Sequence, residues 1–333
     1  MPGEPEKAEM TALIAWLGMR KKTNNPAVLF LGARAGGLFR SRAFYETLKP
    51  FSKRTLNDLA PAEQFGECYR LLSQGQFSES DRNSILTDSL RNIMLTDADI
   101  SLAEMVKNKL FDVIISTNVD DLLEEAFAQV EMREIFDYDV FIPERTPSEE
   151  SFSHERRLSC KIIKSFGALS SRKYSITERG VYLDDNPKLR NLLETHLARD
   201  VLVVGLDPVW DEEMVRMFPT HGETIWFVSE EEWSPPHPIL HMARVRQIKY
   251  LAGSEGSYES FWKAAHWHLH EEMPMGFQLT QSINRQLQTL SREVQLLKKA
   301  HQDIHNDVKV LLAMFQAIRE EQSGESDKRQ KLE

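Results

Sequence analysis

Two cysteines, Cys68 and Cys160, are all that 333 residues contain, and no Cys-x-x-Cys pair occurs. A structural zinc site made of cysteines is therefore excluded, and a disulfide framework is not expected. A reducing cytoplasm is the simplest setting for such a chain. Long apolar runs are also lacking: none spans a bilayer, and the N-terminus has no secretory h-region. Positive charge is in deficit, with 41 Lys and Arg against 51 Asp and Glu and a net charge of -10. That balance argues against nucleic acid or an anionic membrane as the main partner. His266 and His270 share a helical face at i, i+4 but lack a third ligand, so no metal is expected there.

What is present suffices for a core. Hydrophobic residues make up 41% of the chain, and the length suits one large or two ordinary domains. The stretch from Phe111 to Phe127 organises the rest. Val113-Ile114-Ile115 reads as a strand buried on both faces, as in a parallel sheet. It runs into the polar cluster Ser116-Thr117-Asn118-Val119-Asp120-Asp121, and a helix pattern follows with acidic residues in its first turn. Ligands of open α/β sheets bind at this end of a strand.

Other strands repeat the plan. Ala27 to Leu31 leads into Gly32-Ala33-Arg34-Ala35-Gly36-Gly37, a glycine-rich turn of the kind that cradles phosphate with backbone N–H groups. On the motif alone it reads as a tight strand-to-helix turn. Lys161 to Lys164 ends in Ser165-Phe166-Gly167-Ala168-Leu169. Asp200 to Val204 ends in Gly205-Leu206-Asp207-Pro208-Val209-Trp210-Asp211. A fifth strand is expected at Thr224 to Val228, and a closing helix at Tyr258 to Leu269. Between the first two strands, residues 40–110 read as a helical insert, with helices at 43–48, 61–72, 81–94 and 101–110. Alternating strands and helices predict a doubly wound, mostly parallel α/β sheet. The expected divisions are an N-terminal helix over 1–25, the α/β domain over 26–272, and a C-terminal helix and tail over 273–333.

In order and spacing, residues 26–269 resemble the SIR2-like family, the sirtuin-related NAD-binding fold common in bacterial defence proteins. LFLGARAGG looks like the family's first strand and glycine loop. STNVDDLLEEAF is similar to its TN-x-D-x-hydrophobic-x-E segment. KSFGAL stands where the family has a His-Gly pair, and VVGLDPVWDEE resembles its later Gly-x-Ser loop. The resemblance implies NAD or an ADP-ribose-like nucleotide held by Gly32, Ala33, Arg34, Gly36, Thr117, Asn118, Asp120, Gly167, Gly205 and Asp207. It implies catalytic roles for Asn118 and Asp120. Three positions depart from the pattern. Phe166 takes the place of the histidine base and moves no proton. Arg34 replaces a glycine of the first loop, and Asp207 replaces a small hydroxyl residue near phosphate. Arg34 and Asp207, on adjoining strands, are expected to pair. His154, in a nearby polar loop, reads as a solvated histidine. Without paired cysteines, protein deacylation by a zinc-bearing sirtuin is not expected.

The C-terminal segment is of another kind. Residues 278–322 contain no proline or glycine. Ile283, Leu290, Leu297, Ile304, Leu311 and Ile318 recur in strict heptads, with Leu287, Val294, Val308 and Phe315 in the alternate core position. A 3-4 spacing held this long predicts a coiled coil, with His301 as its polar core position. The expectation from sequence is a SIR2-like domain with a degenerate pocket, a scaffold or sensor that self-associates through 278–322. A protein partner in antiviral defence is implied by the resemblance. NAD hydrolysis through Asn118 and Asp120, and nucleotide binding without turnover, stand as alternatives.

Overall fold

The structure, a computed structural model, describes residues 5–54, 56–143, 158–171, 173–174, 176, 187–231 and 246–270, with residues 290, 291, 294, 298 and 301 further on. The polar stretch at 146–157 with His154, and most of 278–322, lie outside the described residues. Two compact units are distinguished, Met1–Leu269 and His270–Glu333.

The first unit opens with β1 (Glu6–Lys7) and α1 (Met10–Lys22), and then β2 (Ala27–Leu31). The helical insert follows: α2 (Gly37–Arg40), α3 (Arg42–Leu48), α4 (Pro61–Ser73), α5 (Glu79–Leu90) and α6 (Asp97–Lys107). Next come β3 (Phe111–Ser116), α7 (Leu122–Gln129), β4 (Tyr138–Phe141), β5 (Cys160–Lys164), β6 (Gly167–Ala168) and β7 (Lys173–Tyr174). The unit closes with α8 (Pro187–Leu197), β8 (Val201–Val204), α9 (Glu212–Arg216), β9 (Ile225–Ser229), β10 (Ile248–Ala252) and α10 (Tyr258–His270).

Among the described residues, eight strands form one sheet in the order β1-β10-β9-β8-β2-β3-β5-β4. Every pairing in it is parallel. The mixed α/β fold expected from the strand–helix alternation is therefore present. β2 lies between β8 and β3, so the strand order runs outward from it in both directions. A crevice opens at such a reversal, beyond the carboxyl ends of the strands. The β2 side chains show why the run is apolar throughout. Val28 and Phe30 enter one core cluster, while Ala27, Leu29 and Leu31 enter the other. A period of two places successive residues on opposite faces, and both faces are covered.

Several boundaries differ from the sequence reading for local reasons. α5 begins at Glu79 because Ser78 and Asp81 form a reciprocal capping box, and Thr96 with Asp99 does the same for α6. Each pair satisfies two N–H groups that the first turn leaves open. Lys173–Tyr174 pairs antiparallel with Gly167–Ala168. β10 and β1 were not legible: the first has only two buried residues, Ile248 and Leu251, and the second has two exposed residues. α1 packs Met10, Leu13 and Leu17 into the core of the same unit. The insert is tied to the turn after β8 by Phe65, which stacks on Trp210 with ring centroids 5.0 Å apart. In the second unit, Leu290, Ser291, Val294, Lys298 and His301 are helical and exposed.

Candidate functional site

Three turns meet above the sheet at the ends of β2, β3 and β8. The backbone N–H groups of the first turn all find partners within the chain. Gly32 N donates to Val204 O at 2.9 Å, Arg34 N to Gly205 O at 2.9 Å, Ala35 N to Gly32 O at 2.9 Å and Gly36 N to Ala33 O at 3.3 Å. Ala33 N donates to Asp211 Oδ2 at 3.0 Å and Gly37 N to Asp120 Oδ2 at 2.8 Å. The turn is also packed from outside. A Cβ on Gly36 would fall 2.1 Å from Asn118 Oδ1, so only glycine lets the two turns approach. Gly205 has φ +71, and a side chain there would press on Ala35 N.

The turn after β3 is held equally closely. Asn118 donates through Nδ2 to Gly32 O at 3.1 Å and to Ser116 Oγ at 3.3 Å. Thr117 N donates to Leu31 O at 3.1 Å. Asp120 accepts from Gly37 N through one oxygen and from Leu122 N through the other, at 3.3 Å. Burial pushes the Asp120 carboxyl above its ordinary range, opposed by the Lys164 ammonium and by those two N–H groups.

Lys164 carries no functional expectation from sequence, where it only ends a short strand. Its side chain is 2% exposed, and Nζ donates to Asp120 O at 2.6 Å, Asp121 Oδ1 at 2.8 Å and Glu124 Oε1 at 2.7 Å. All three ammonium protons are thereby engaged. Burial lowers its pKa, Glu124 and Asp121 raise it, and the balance lies above the ordinary lysine value.

Phe166 follows Lys164 by two residues and is 1% exposed, within the core cluster that includes Val119, Ile163 and Leu206. It fills space and offers no polar atom. Gly167 opens the β6–β7 hairpin, which is tied to the β3 turn by Leu169 N donating to Val119 O at 2.9 Å.

After β8, Asp207 is fully buried. Its Oδ1 accepts from Val209 N at 2.9 Å and Trp210 N at 2.8 Å, which shapes the turn. Its Oδ2 receives Arg34 Nε at 3.0 Å, so the expected pair forms. Arg34 reaches further, with Nη1 3.3 Å from Glu231 Oε1 just past β9. Asp211, noted in the sequence only as the acidic residue after the turn, is fully buried at the junction. It accepts from Ala33 N and, at 2.7 Å, from Asp207 N. Burial raises its pKa to about 7, offset in part by the Thr117 hydroxyl and these N–H groups.

The structure thus brings together Gly32, Ala33, Arg34 and Gly36 with Thr117, Asn118 and Asp120, and with Gly205 and Asp207. Phe166 and Gly167 stand at the next strand end. Two spaces adjoin them. A cavity of about 20 Å³, lined by Ser116, Asn118, Asp120, Glu124, Lys164 and Tyr258 among others, has room for a single water. A groove of about 430 Å³ runs along Thr87, Leu90, Arg91, Ile93, Leu122, Leu169 and Ser170, with Asp120, Asp121 and Glu125 on its walls. Beside the small cavity, Asp99 accepts from Arg40 at 2.8 Å and from Tyr258 OH at 2.9 Å.

Along the sheet edge the glycine turn after β2 lies between the Thr-Asn-Val-Asp turn after β3 and the Gly-Leu-Asp turn after β8. Residues 112–235 match the SIR2-like domain. The matched segment runs from β3 through β9, so it contains the Thr117–Asp120 turn, Phe166 and the Gly205–Asp211 turn. The Gly32–Gly37 turn precedes it. No curated protein matches the chain. Among the described residues, no group of three or more His, Cys, Asp or Glu is placed to hold a metal ion. No described helix is long and apolar enough to cross a membrane. His266 is paired with Glu104.

Proposed function

We propose that this chain is a non-catalytic SIR2-like scaffold or sensor, brought into an oligomer by its C-terminal helix. The observation that carries the proposal is the commitment of the pocket's polar atoms to the fold. Asn118 Nδ2 and Asp120 Oδ2 serve hydrogen bonds between turns, and Asp120 Oδ1 accepts from Leu122 N within its own turn. Phe166, at the position of the family's base, is a packing residue that moves no proton.

The residues do not fit the pyrophosphate of NAD at the first turn. An anion is held there by free N–H groups, and those of Gly32 to Gly37 all donate within the chain. No reaction step is therefore assigned through NAD. Assembly through 278–322 rests on the heptads, together with the exposure of Leu290 (54%) and Val294 (47%) on their helix. A place in antiviral defence beside a protein partner follows from the family resemblance alone.

One observation favours a second reading, hydrolysis of NAD by Asn118 and Asp120. The 430 Å³ groove reaches Asp120 and has room for a small ligand. Measuring NAD loss separates the two. Wild type, Asn118→Ala and the triple variant Phe166→His, Arg34→Gly, Asp207→Ser are compared at equal concentration. The proposal expects no loss with wild type. Hydrolysis by wild type that disappears in Asn118→Ala establishes the second reading. Light scattering tests assembly: Leu290→Ala with Leu297→Ala is expected to reduce the wild-type mass, and a monomeric wild type would refute it.

A further inference from the structure

Charged groups from the ends of β2, β8 and β9 meet at one place, where Arg34 contacts Asp207 and Glu231. We infer that it is a guanidinium site, filled by the chain's own Arg34 as a tethered ligand, and that it rejects anionic nucleotides. This rests on the non-catalytic reading above and deepens it.

The site is built on groups from three neighbouring strand ends. Asp207 contributes a side chain 1% exposed, whose Oδ2 lies 3.0 Å from Arg34 Nε. Glu231 contributes a second carboxylate, 3.3 Å from Arg34 Nη1, on the solvent side where it is 61% exposed. Arg34 lies between them with its side chain 14% exposed. The two carboxylates meet two different nitrogens of one planar group, a match to guanidinium geometry that a lysine ammonium would not reproduce. Asp207 is fixed independently of Arg34, because its other oxygen accepts from Val209 N and Trp210 N. Its carboxylate therefore stays aimed at the same place when the arginine is removed.

Two features exclude phosphate from the position. The adjoining backbone N–H groups are engaged, as described above. Asp207 and Glu231 present like charge to an anion, and the cation that would offset them is already paired. The glycine turn of this fold has thus become the mount for a cation.

Chemical rescue tests the assignment. Arg34→Ala leaves a gap facing two carboxylates. The thermal midpoint of Arg34→Ala is expected to fall below that of wild type and to rise by several degrees with millimolar methylguanidinium. Wild type, with its site filled, should show no such rise. Rescue is expected to vanish in Arg34→Ala with Asp207→Asn, where asparagine retains the acceptor for Val209 N and Trp210 N. Rescue that persists there, or a response equal in wild type and Arg34→Ala, overturns the assignment. Calorimetric titration of wild type with ADP-ribose covers the case in which the variant does not fold. No binding at millimolar nucleotide is expected, and a measurable affinity overturns the inference. Nucleotide binding without NAD loss would refute this inference and leave the non-catalytic reading standing, whereas NAD loss refutes both.

Discussion

The carboxyl edge of the sheet has two unlike halves. Over β2 and β8, the turns interlock. Asp211 and Asp207 lie fully buried among backbone N–H groups, and Arg34 closes the outer side. Over β3 and β5, a groove of about 430 Å³ stays open, with Asp120, Asp121 and Glu125 on its walls. The same architecture thus carries a filled strand-end and an open one. The difference lies in the space left above the turns: over β2 and β8 Arg34 fills it, and over β3 and β5 the groove remains. A glycine turn binds anions only while its N–H groups lack partners, and here a carboxylate or a carbonyl supplies each partner.

The contrast can be broken at four places. The largest expected effect is at Lys164, whose ammonium neutralises Asp121 and Glu124 beneath the open half. Lys164→Met leaves the largely buried Glu124 and the more exposed Asp121 without their cation, and chemical denaturation should show a loss of about 3–5 kcal/mol. Adding Glu124→Gln should recover part of that loss. If Lys164→Met costs less than about 1 kcal/mol, the cluster does not hold the turn.

Asp211 supplies a pH-dependent contribution on the closed half. Its folded pKa is about 7 against an ordinary 3.8, so the fold disfavours the ionised form. The associated stability is fully present below about pH 4 and is lost as pH rises to about 7, a difference on the order of 3–4 kcal/mol. Asp120, Glu124 and Asp200 are raised as well and act in the same direction. The difference between wild type and Asp211→Asn isolates the one residue. Its stability advantage over wild type should grow from pH 4 to pH 7, and a constant offset would contradict the assignment.

Gly36→Ala tests the interlock itself. The added methyl would meet Asn118 Oδ1 and Cγ, at 2.1 and 2.6 Å, so the β3 turn must move. An overpacking cost of about 1–3 kcal/mol is expected in denaturant titration. The smallest effect is at Thr96, which caps the helix carrying Asp99. Thr96→Ala should cost about 1 kcal/mol and leave the sheet intact by circular dichroism.

Much of the fold was legible because buried parallel strands are written as short apolar runs, as at Ala27–Leu31 and, within Phe111–Ser116, at Val113-Ile114-Ile115. Their polar exits were legible for the same reason, as abrupt ends of those runs. The pairing of Arg34 with Asp207 followed from the strand adjacency that the family resemblance implies. What could not be read was connectivity between turns. Asp211 is four residues past Asp207, yet it accepts from Ala33, 178 residues away in the chain. Lys164 ends a strand in sequence, and only the fold brings Asp121 and Glu124 to its ammonium. Glu231 lies beyond a strand whose neighbours are set by the sheet order. Short edge strands such as Glu6–Lys7 carry no apolar signal, because both residues are exposed.

Within the segment that matches the SIR2-like domain, the side chains of Asn118 and Asp120 are committed to hydrogen bonds of the fold. Incubation of the purified full chain with NAD, followed by chromatographic quantification of nicotinamide, tests it most directly. No nicotinamide release above a protein-free control is expected, in wild type and Asn118→Ala alike. Release by wild type that Asn118→Ala abolishes would contradict it.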